Sequence, residues 1–366
     1  MGQDKQEAGK YTLAEILSQP QCWTDCLRNI EKGQLTKIRE QFGHGSEWLF
    51  IGCGSSYYLG MAAAATWTAV AGLRASAVPA SEVLLFPELV PTGPTTVPVL
   101  ISRSGQTSET LRAAEYLEHT RNLRTLAVSC APGRPLAKVA SGCLCLPDAD
   151  EKSTVMTRSF SSMLLALQLL AASVANKHAF NKALHQLPSL TAAMLAPLKG
   201  RIGEFLSANT FADYVFLGQG PFYGLASESM LKVKEMSCSY AQVFHTLEFR
   251  HGPKAIITPE VLVTFLLSEA GYEAEVEVLE ELKQLGAKTL VVTNAADARA
   301  RAASDLLVEL AIDIPEYARL AAYMFTGHLL GLLTGLKKGL DPDKPRYLSR
   351  AVVLGEEREK PEHAAH

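Results

Sequence analysis

At 366 residues, 48% hydrophobic and 20% charged, the chain is too long for one ordinary core and too apolar for a disordered one, so two domains are expected. The formal net charge of −3 supplies no long-range field for nucleic acid or an anionic membrane, and an anionic ligand must be caught by local groups. Seven cysteines (Cys22, Cys26, Cys53, Cys130, Cys143, Cys145 and Cys238) form neither a paired CxxC framework nor a zinc pattern, which points to reduced thiols and no metal.

In chain order, the opening MGQDKQEAGK lacks the apolar core and cleavage site of a secretory leader, so a cytoplasmic protein is expected, with a helical segment over 1–35. Glu47–Gly54, EWLFIGCG, reads as a buried strand running into a Gly-x-Gly turn and a helix. Tyr57 stands where a dinucleotide fingerprint needs its third glycine, which disfavours NAD. The two glycines instead let Ser55 and Ser56 approach a ligand closely, and Cys53 between them reads as packing rather than as a nucleophile. The next strand ends in VPVLISRSG, and the stretch from Ser102 through Arg103, Ser104, Gly105 and Thr107 to Thr110 sets hydroxyls and a flexible glycine between strand and helix. Two readings fit it: a phosphate cradle of turn amides, hydroxyls, helix dipole and the Arg103 charge, or a helix capping box around Glu109 that needs no ligand. RTLAVSC supplies a further strand, and a helical run from Ser159 to Asn176 and on to about Leu206, interrupted by Pro188 and Pro197, leads into the second half.

That half repeats the first. DYVFLGQG matches EWLFIGCG, with Gly218 following Gly52 by 166 residues; TFLLSEAG matches VPVLISRSG, with Ser268 following Ser102 by 166; KTLVVTN matches RTLAVSC, with Thr289 following Thr125 by 164. Apolar strands alternating with helices predict a doubly wound parallel α/β sheet, twice over, with ligands at the carboxyl ends of the strands, in the loops at Gly52, Ser102 and Gly218. After Ser268 the loop reads EAGYEAE, acidic and unsuited to phosphate, so one active site per chain is expected. Following Gly220, Glu228, Lys232 and Glu235 share one helical face near the helix start, where a carboxylate beside a lysine can be tuned as a general base. FHTLEFRHGPK carries His245 and His251; their spacing makes no metal site, and His251 is open to a structural or a proton-moving role. The apolar run Leu320–Leu336 is broken by Thr326, Gly327, His328, Gly331, Thr334 and Gly335 and reads as a buried helix rather than a membrane span, and residues 341–366 read as a tail.

Six motifs in order, GCGSSYYLG, SRSGQTSET, EKSTVMTRSF, ESMLKVKEMS, EFRHGPKAI and DPDKPRYLSR, resemble the tandem sugar isomerase (SIS) family from about Glu47 to Leu354. Within it the chain is similar to the isomerase half of glucosamine-6-phosphate synthases and to the stand-alone amino-sugar-6-phosphate deaminases. The resemblance implies two SIS domains, over 36–180 and 200–340, each a five-stranded parallel sheet with helices on both faces. It implies that Ser102, Arg103, Ser104, Gly105 and Thr107 hold a sugar phosphate while Gly54, Ser55 and Ser56 line the sugar. It further implies that Glu235 moves a proton between C1 and C2, that Lys232 stabilises charge, that His251 assists ring opening in the site of a partner subunit within a homodimer, and that no cofactor is needed. Two departures narrow the activity. About 46 residues, with no glutaminase among them, precede the first Gly-rich strand, and Arg350 occupies the place of the tail lysine with which the synthases form a Schiff base. Deamination of glucosamine 6-phosphate or galactosamine 6-phosphate is therefore the leading expectation. A phosphosugar aldose–ketose isomerase, an aminotransferase-type isomerase without glutaminase, a fructosamine-phosphate deglycase and a non-catalytic sensor are the alternatives.

Overall fold

The computed structural model describes residues 7–354. Three helices, α1 (Lys10–Leu17), α2 (Gln19–Gly33) and α3 (Leu35–Phe42), precede the first sheet. That sheet is built from β1 (Glu47–Gly52), α4 (Ser55–Thr66), β2 (Arg74–Pro79), α5 (Ala80–Leu85), β3 (Thr96–Ile101), α6 (Ser108–Glu115), β4 (Leu126–Ser129), α7 (Pro135–Val139) and β5 (Gly142–Cys145). Helices α8 (Arg158–Val174), α9 (His178–Thr191) and α10 (Leu195–Ala208) lead to β6 (Asp213–Gly218), α11 (Pro221–Ser237), β7 (Tyr240–Phe244), β8 (Val261–Leu266), α12 (Tyr272–Gln284), β9 (Lys288–Thr293), α13 (Ala298–Ala303), β10 (Leu306–Glu309) and α14 (Glu316–Lys337).

The first sheet has the order β2-β1-β3-β4-β5 and the second β7-β6-β8-β9-β10, all pairs parallel, so one five-stranded topology occurs twice. The repeat extends to backbone angles: Gly54 (φ 54°, ψ −124°) and Gly220 (φ 54°, ψ −126°) precede the first helix of each unit, in a region closed to residues with a Cβ. At Gly52 and Gly218 an added Cβ would meet the carbonyl groups of Ser56 and Phe222, which keeps both turns tight. One equivalence differs from the sequence reading. Phe50 faces Val99 whereas Phe216 faces Thr264, and Ile51 faces Leu100 whereas Leu217 faces Phe265, so Leu267 rather than Ser268 corresponds to Ser102.

An apolar core containing Trp23, Trp48, Phe160, Phe222 and Phe325 runs between the two units, and smaller clusters around Leu49, Leu100 and Leu117 and around Val215, Phe265 and Leu279 cover the outer sheet faces. Helix α14 lies within the central core, as its sequence predicts, and no helix among the described residues is long and apolar enough to cross a membrane. The helical run breaks between Pro188 and Pro197 as expected, α9 ending at Thr191 and α10 starting at Leu195, although Pro188 itself sits inside α9; a further break falls at Asn176, which adopts φ 53°.

Close helix contacts set the position of α11. Gly224 brings it against the α4 backbone, where a Cβ would lie 2.7 Å from the Tyr58 carbonyl oxygen. On its other side Gly331 of α14 faces the Lys232 carbonyl, a Cβ there falling 2.8 Å away, and Gly335 faces Met236. The early turns of α11 thus meet the middle of α4, while Lys232 near its end reaches Ser55 at the start of α4, so the two helices run antiparallel.

Candidate active site

The cradle forms where β3 ends. Gly105 holds φ 63°, and an added Cβ would lie 2.8 Å from the Arg134 side chain, so only glycine suits this turn. Thr107 stands at the N-cap of α6 without a side-chain capping bond; its hydroxyl lies 3.1 Å from Ser102 Oγ, which in turn lies 3.5 Å from Ser104 Oγ. Among the described residues, the Ser104 and Thr107 N–H groups have no protein acceptor. Converging hydroxyls and free amides at a helix amino end suit an anion better than a self-contained capping box.

Arg103 behaves differently from the sequence reading. Its buried guanidinium turns away from the hydroxyls, with Nη1 3.3 Å from Glu151 and donating to the Val155 carbonyl at 3.0 Å, and Nη2 donating to the carbonyls of Thr154 (2.7 Å) and Arg350 (3.2 Å). It ties the loop and the tail to the cradle.

Helix α11 contributes the charged group opposite. Lys232, 0% exposed, has its Nζ 2.5 Å from Glu235, 3.2 Å from Glu228 and 3.3 Å from Ser55 Oγ. Burial opposes the ammonium charge, but the Glu228 and Glu235 carboxylates outweigh it and hold the Lys232 pKa above its ordinary value. Glu228 is fully buried, and desolvation pushes its pKa up to about 7 against the pull of Lys232. His328, also fully buried, is pushed down to about 3 by burial and by the Lys232 charge, and stays neutral. Glu235 is the only member of this set that opens into the cleft.

That cleft has a volume of about 250 Å³ and brings together Gly54, Ser55, Ser56, Arg103, Ser104, Thr107 and Glu235. Eight of the eleven positions expected from sequence are Gly54, Ser55, Ser56, Ser102, Arg103, Ser104, Gly105 and Thr107, and all lie on the β1 and β3 loops of the first unit. Lys232 and Glu235 come from the second unit, but from the last two turns of α11 rather than near its start, because the helix runs antiparallel to α4. His251 is exposed after the Glu248–Arg250 turn and does not line this chain's cleft. Sequence reasoning missed the remaining walls: Cys53, read as packing, Thr154 and Met156 on one side, Leu231 near Glu235, and the tail from Leu348 to Val352. EKSTVMTRSF and DPDKPRYLSR were visible as motifs, but nothing local marks them as walls of one cleft.

The SIS domain model matches residues 46–173 and 213–333, one copy on each sheet unit. The chain belongs to the SIS family. Among curated SIS relatives, the glutamine–fructose-6-phosphate aminotransferase [isomerizing] of Chlamydia caviae is 29% identical over 96% of this chain, and that of Bordetella pertussis is 31% identical over 94%. The chain spans 59% and 58% of the lengths of these two relatives. A solved glucosamine-6-phosphate deaminase from Thermotoga maritima shares 30% identity and a TM-score of 0.78, covering 94% of this chain and 100% of that one. The tagatose-6-phosphate ketose/aldose isomerase of Escherichia coli, at 20% identity and a TM-score of 0.80 over 96% of this chain and 97% of its own, shares the fold.

Proposed function

We propose that this SIS protein is a cytoplasmic amino-sugar-6-phosphate deaminase acting on glucosamine 6-phosphate or galactosamine 6-phosphate. The observation that carries the reading is that Glu235, backed by the buried Lys232, opens into the same cleft as the Ser104 and Thr107 cradle. The name of the Thermotoga maritima neighbour agrees with it.

The phosphate sits on the hydroxyls of Ser102, Ser104 and Thr107 and the free amides of Ser104 and Thr107, with Gly105 shaping the turn between them, while Gly54, Ser55 and Ser56 line the carbon chain. Arg103 keeps the cradle and its walls together. Glu235 takes the proton from C2 of the ring-opened amino-aldose and returns it to C1; through the enolamine the aldehyde oxygen takes a proton from the C2 ammonium, so that C1 becomes a hydroxymethyl group and the C2 amine a ketimine. Water adds to the ketimine carbon and ammonia leaves, giving the ketose 6-phosphate. Lys232, sealed behind Glu235, steadies the charge of that carboxylate, and the Ser55 and Ser56 hydroxyls of the cleft stabilise the oxygen charge that develops between the two proton transfers. The Arg350 guanidinium pairs with Asp150 and is no amine nucleophile, so it forms no imine with a ketose. His251 of a second copy assists ring opening, which makes the working unit a homodimer.

Ammonia release should be measured with both substrates, alongside solvent deuterium incorporation at C1 of the product. Glu235→Gln is expected to lower kcat by about 10²-fold or more, the scale of a lost general base, with affinity for the sugar phosphate kept. Silence of the wild-type protein toward both amino sugars, or full turnover by Glu235→Gln, overturns the reading. Isomerisation of the corresponding ketose phosphates without ammonia chemistry would identify a plain aldose–ketose isomerase using the same base.

A further inference from the structure

Helix α1 lies outside both SIS segments, yet it holds two walls of the cleft at once. At its amino end, Gly9 N donates to Asp341 Oδ1 at 2.9 Å, Tyr11 N to Asp343 Oδ2 at 3.0 Å, and both the amide and hydroxyl of Thr12 to Asp343 Oδ1 at 2.7 Å. The first turn of a helix has amides without intrahelical partners, and here the cap is supplied by carboxylates more than 300 residues away in sequence. Asp343 is 6% exposed, so the contact is sheltered from competing water.

One turn later in the same helix, buried Glu15 accepts from Lys152 N at 2.5 Å and Ser153 N at 3.3 Å, and from the Ser153 hydroxyl. Thr154 closes the circuit by donating its hydroxyl to the Asp343 carbonyl at 3.4 Å. Thr154 and Met156 form one wall of the cleft and Leu348–Val352 the other, and both chains leave directly from the residues that α1 grips. Further along, the tail docks on the cradle itself, where Ser108 N donates to the Val352 carbonyl at 3.0 Å and Leu354 N to Ser108 Oγ at 2.9 Å.

We infer that α1 is a positioning element of the active site, with Asp343, Thr12 and Glu15 as its positioning residues: it fixes the root of the tail and the 152–156 loop so that both enclose the sugar. This rests on the proposed reading only in taking the cleft as the substrate site. The root anchors act on tail order whatever the reaction is.

The experiment is limited trypsin digestion of the full chain, with cleavage after Arg346 and Arg350 followed by mass spectrometry, in parallel with binding of glucosamine 6-phosphate and of inorganic phosphate. Asp343→Asn, which presents an amide to backbone N–H donors, is expected to speed cleavage at those two sites about tenfold or more through local opening, while other sites keep their wild-type rates. Affinity for glucosamine 6-phosphate falls about tenfold, whereas inorganic phosphate, held by the cradle alone, shifts less than about twofold. Thr12→Val, which removes one hydroxyl, gives the same pattern at smaller size and covers the case in which Asp343→Asn fails to fold. Unchanged cleavage after Arg346 and Arg350 in a folded Asp343→Asn or Thr12→Val protein overturns the inference. So does acceleration spread evenly over the whole chain. Failure of glucosamine 6-phosphate to bind even the wild type would count against the proposed substrate and leave the cleavage result to decide the role of α1.

Discussion

Lys232 holds two carboxylates of opposite fate: Glu235 opens to the cleft, and Glu228 is sealed behind it. Replacing Lys232 by Met leaves Glu228 buried with no counter-charge, and breaking a buried pair in this way costs about 3–5 kcal/mol. Lys232→Met should therefore lower Tm sharply as well as abolish turnover, and Lys232→Met/Glu228→Gln should recover much of the Tm without recovering activity, as a double-mutant cycle by thermal unfolding will reveal. Equal Tm losses in the single and double variants would mean that Glu228 is not the group that Lys232 neutralises. The i, i+4, i+7 spacing of Glu228, Lys232 and Glu235 was legible because helical geometry alone puts them on one face. The direction taken by the Arg103 guanidinium was not, since Glu151, Thr154 and Arg350 reach it only through the fold. A second buried carboxylate tests the electrostatics away from catalysis. Glu275 accepts from Ser268 N and Oγ at 2.7 and 3.0 Å and from Thr246 at 3.3 Å, and burial pushes its pKa up to about 7. Below the unfolded value of about 4.3 both states hold the proton; between there and about 7 only the folded state does, so stability from this group is lost as pH rises through that window. Glu275→Gln should match wild type in Tm at pH 4 and exceed it by ~2–6 °C at pH 8. A Tm difference independent of pH would show that Glu275 does not titrate there.

At the scale of elements, the site depends on how closely α11 is sandwiched. Gly331 and Gly335 of α14 face the backbone of Lys232 and Met236, Gly327 faces the Ser229 side chain, and Gly224 of α11 faces the α4 backbone, so the helices approach closely on both sides. Gly331→Ala places a methyl 2.8 Å from the Lys232 carbonyl oxygen, and backbone cannot rotate aside as a side-chain tip can. The expected cost is about 1–3 kcal/mol from overpacking, together with a drop in kcat larger than at an equally destabilising site remote from α11, because the shift moves Lys232 and Glu235 relative to the cradle. Comparing Tm and kcat for Gly331→Ala and a matched control such as Leu279→Val separates the two effects; equal kcat in both would remove α14 from the positioning of the base. The strands were readable because buried parallel strands are continuous apolar runs and the repeat fixed their order. The antiparallel passage of α11 along α4 was not readable, because glycines in a helix register no partner in the sequence. The same holds for α1, whose N-terminal cap comes from Asp341 and Asp343 at the far end of the chain.

In the whole molecule, a twofold repeat has become a single asymmetric site. Where α11 carries Glu228, Lys232 and Glu235, the matching positions in α4 and the helical turn that follows it hold Ala62, Thr66 and Ala69, none of which can act as a base. In the second unit the amide and hydroxyl of Ser268 are taken by the chain's own Glu275 side chain, an internal carboxyl group at the end of β8. In the proposed reading one unit keeps the anion cradle and the other keeps the base, so that neither half forms a complete site alone. His251 stands outside the cleft of its own chain, and a homodimer in which it enters the partner's cleft makes a quantitative prediction. Glu235→Gln and His251→Asn should each be nearly inactive. In a mixed dimer of the two, one cleft carries both lesions and the other carries neither. Random reassociation of equal amounts makes half of the dimers mixed, so about a quarter of wild-type activity per chain should return. The two variants would be mixed in mild denaturant, refolded together and assayed against the same variants refolded separately. A monomeric mass in solution, or a mixture no more active than its components, would place His251 outside the reaction and leave Glu235 and Lys232 to act within a single chain.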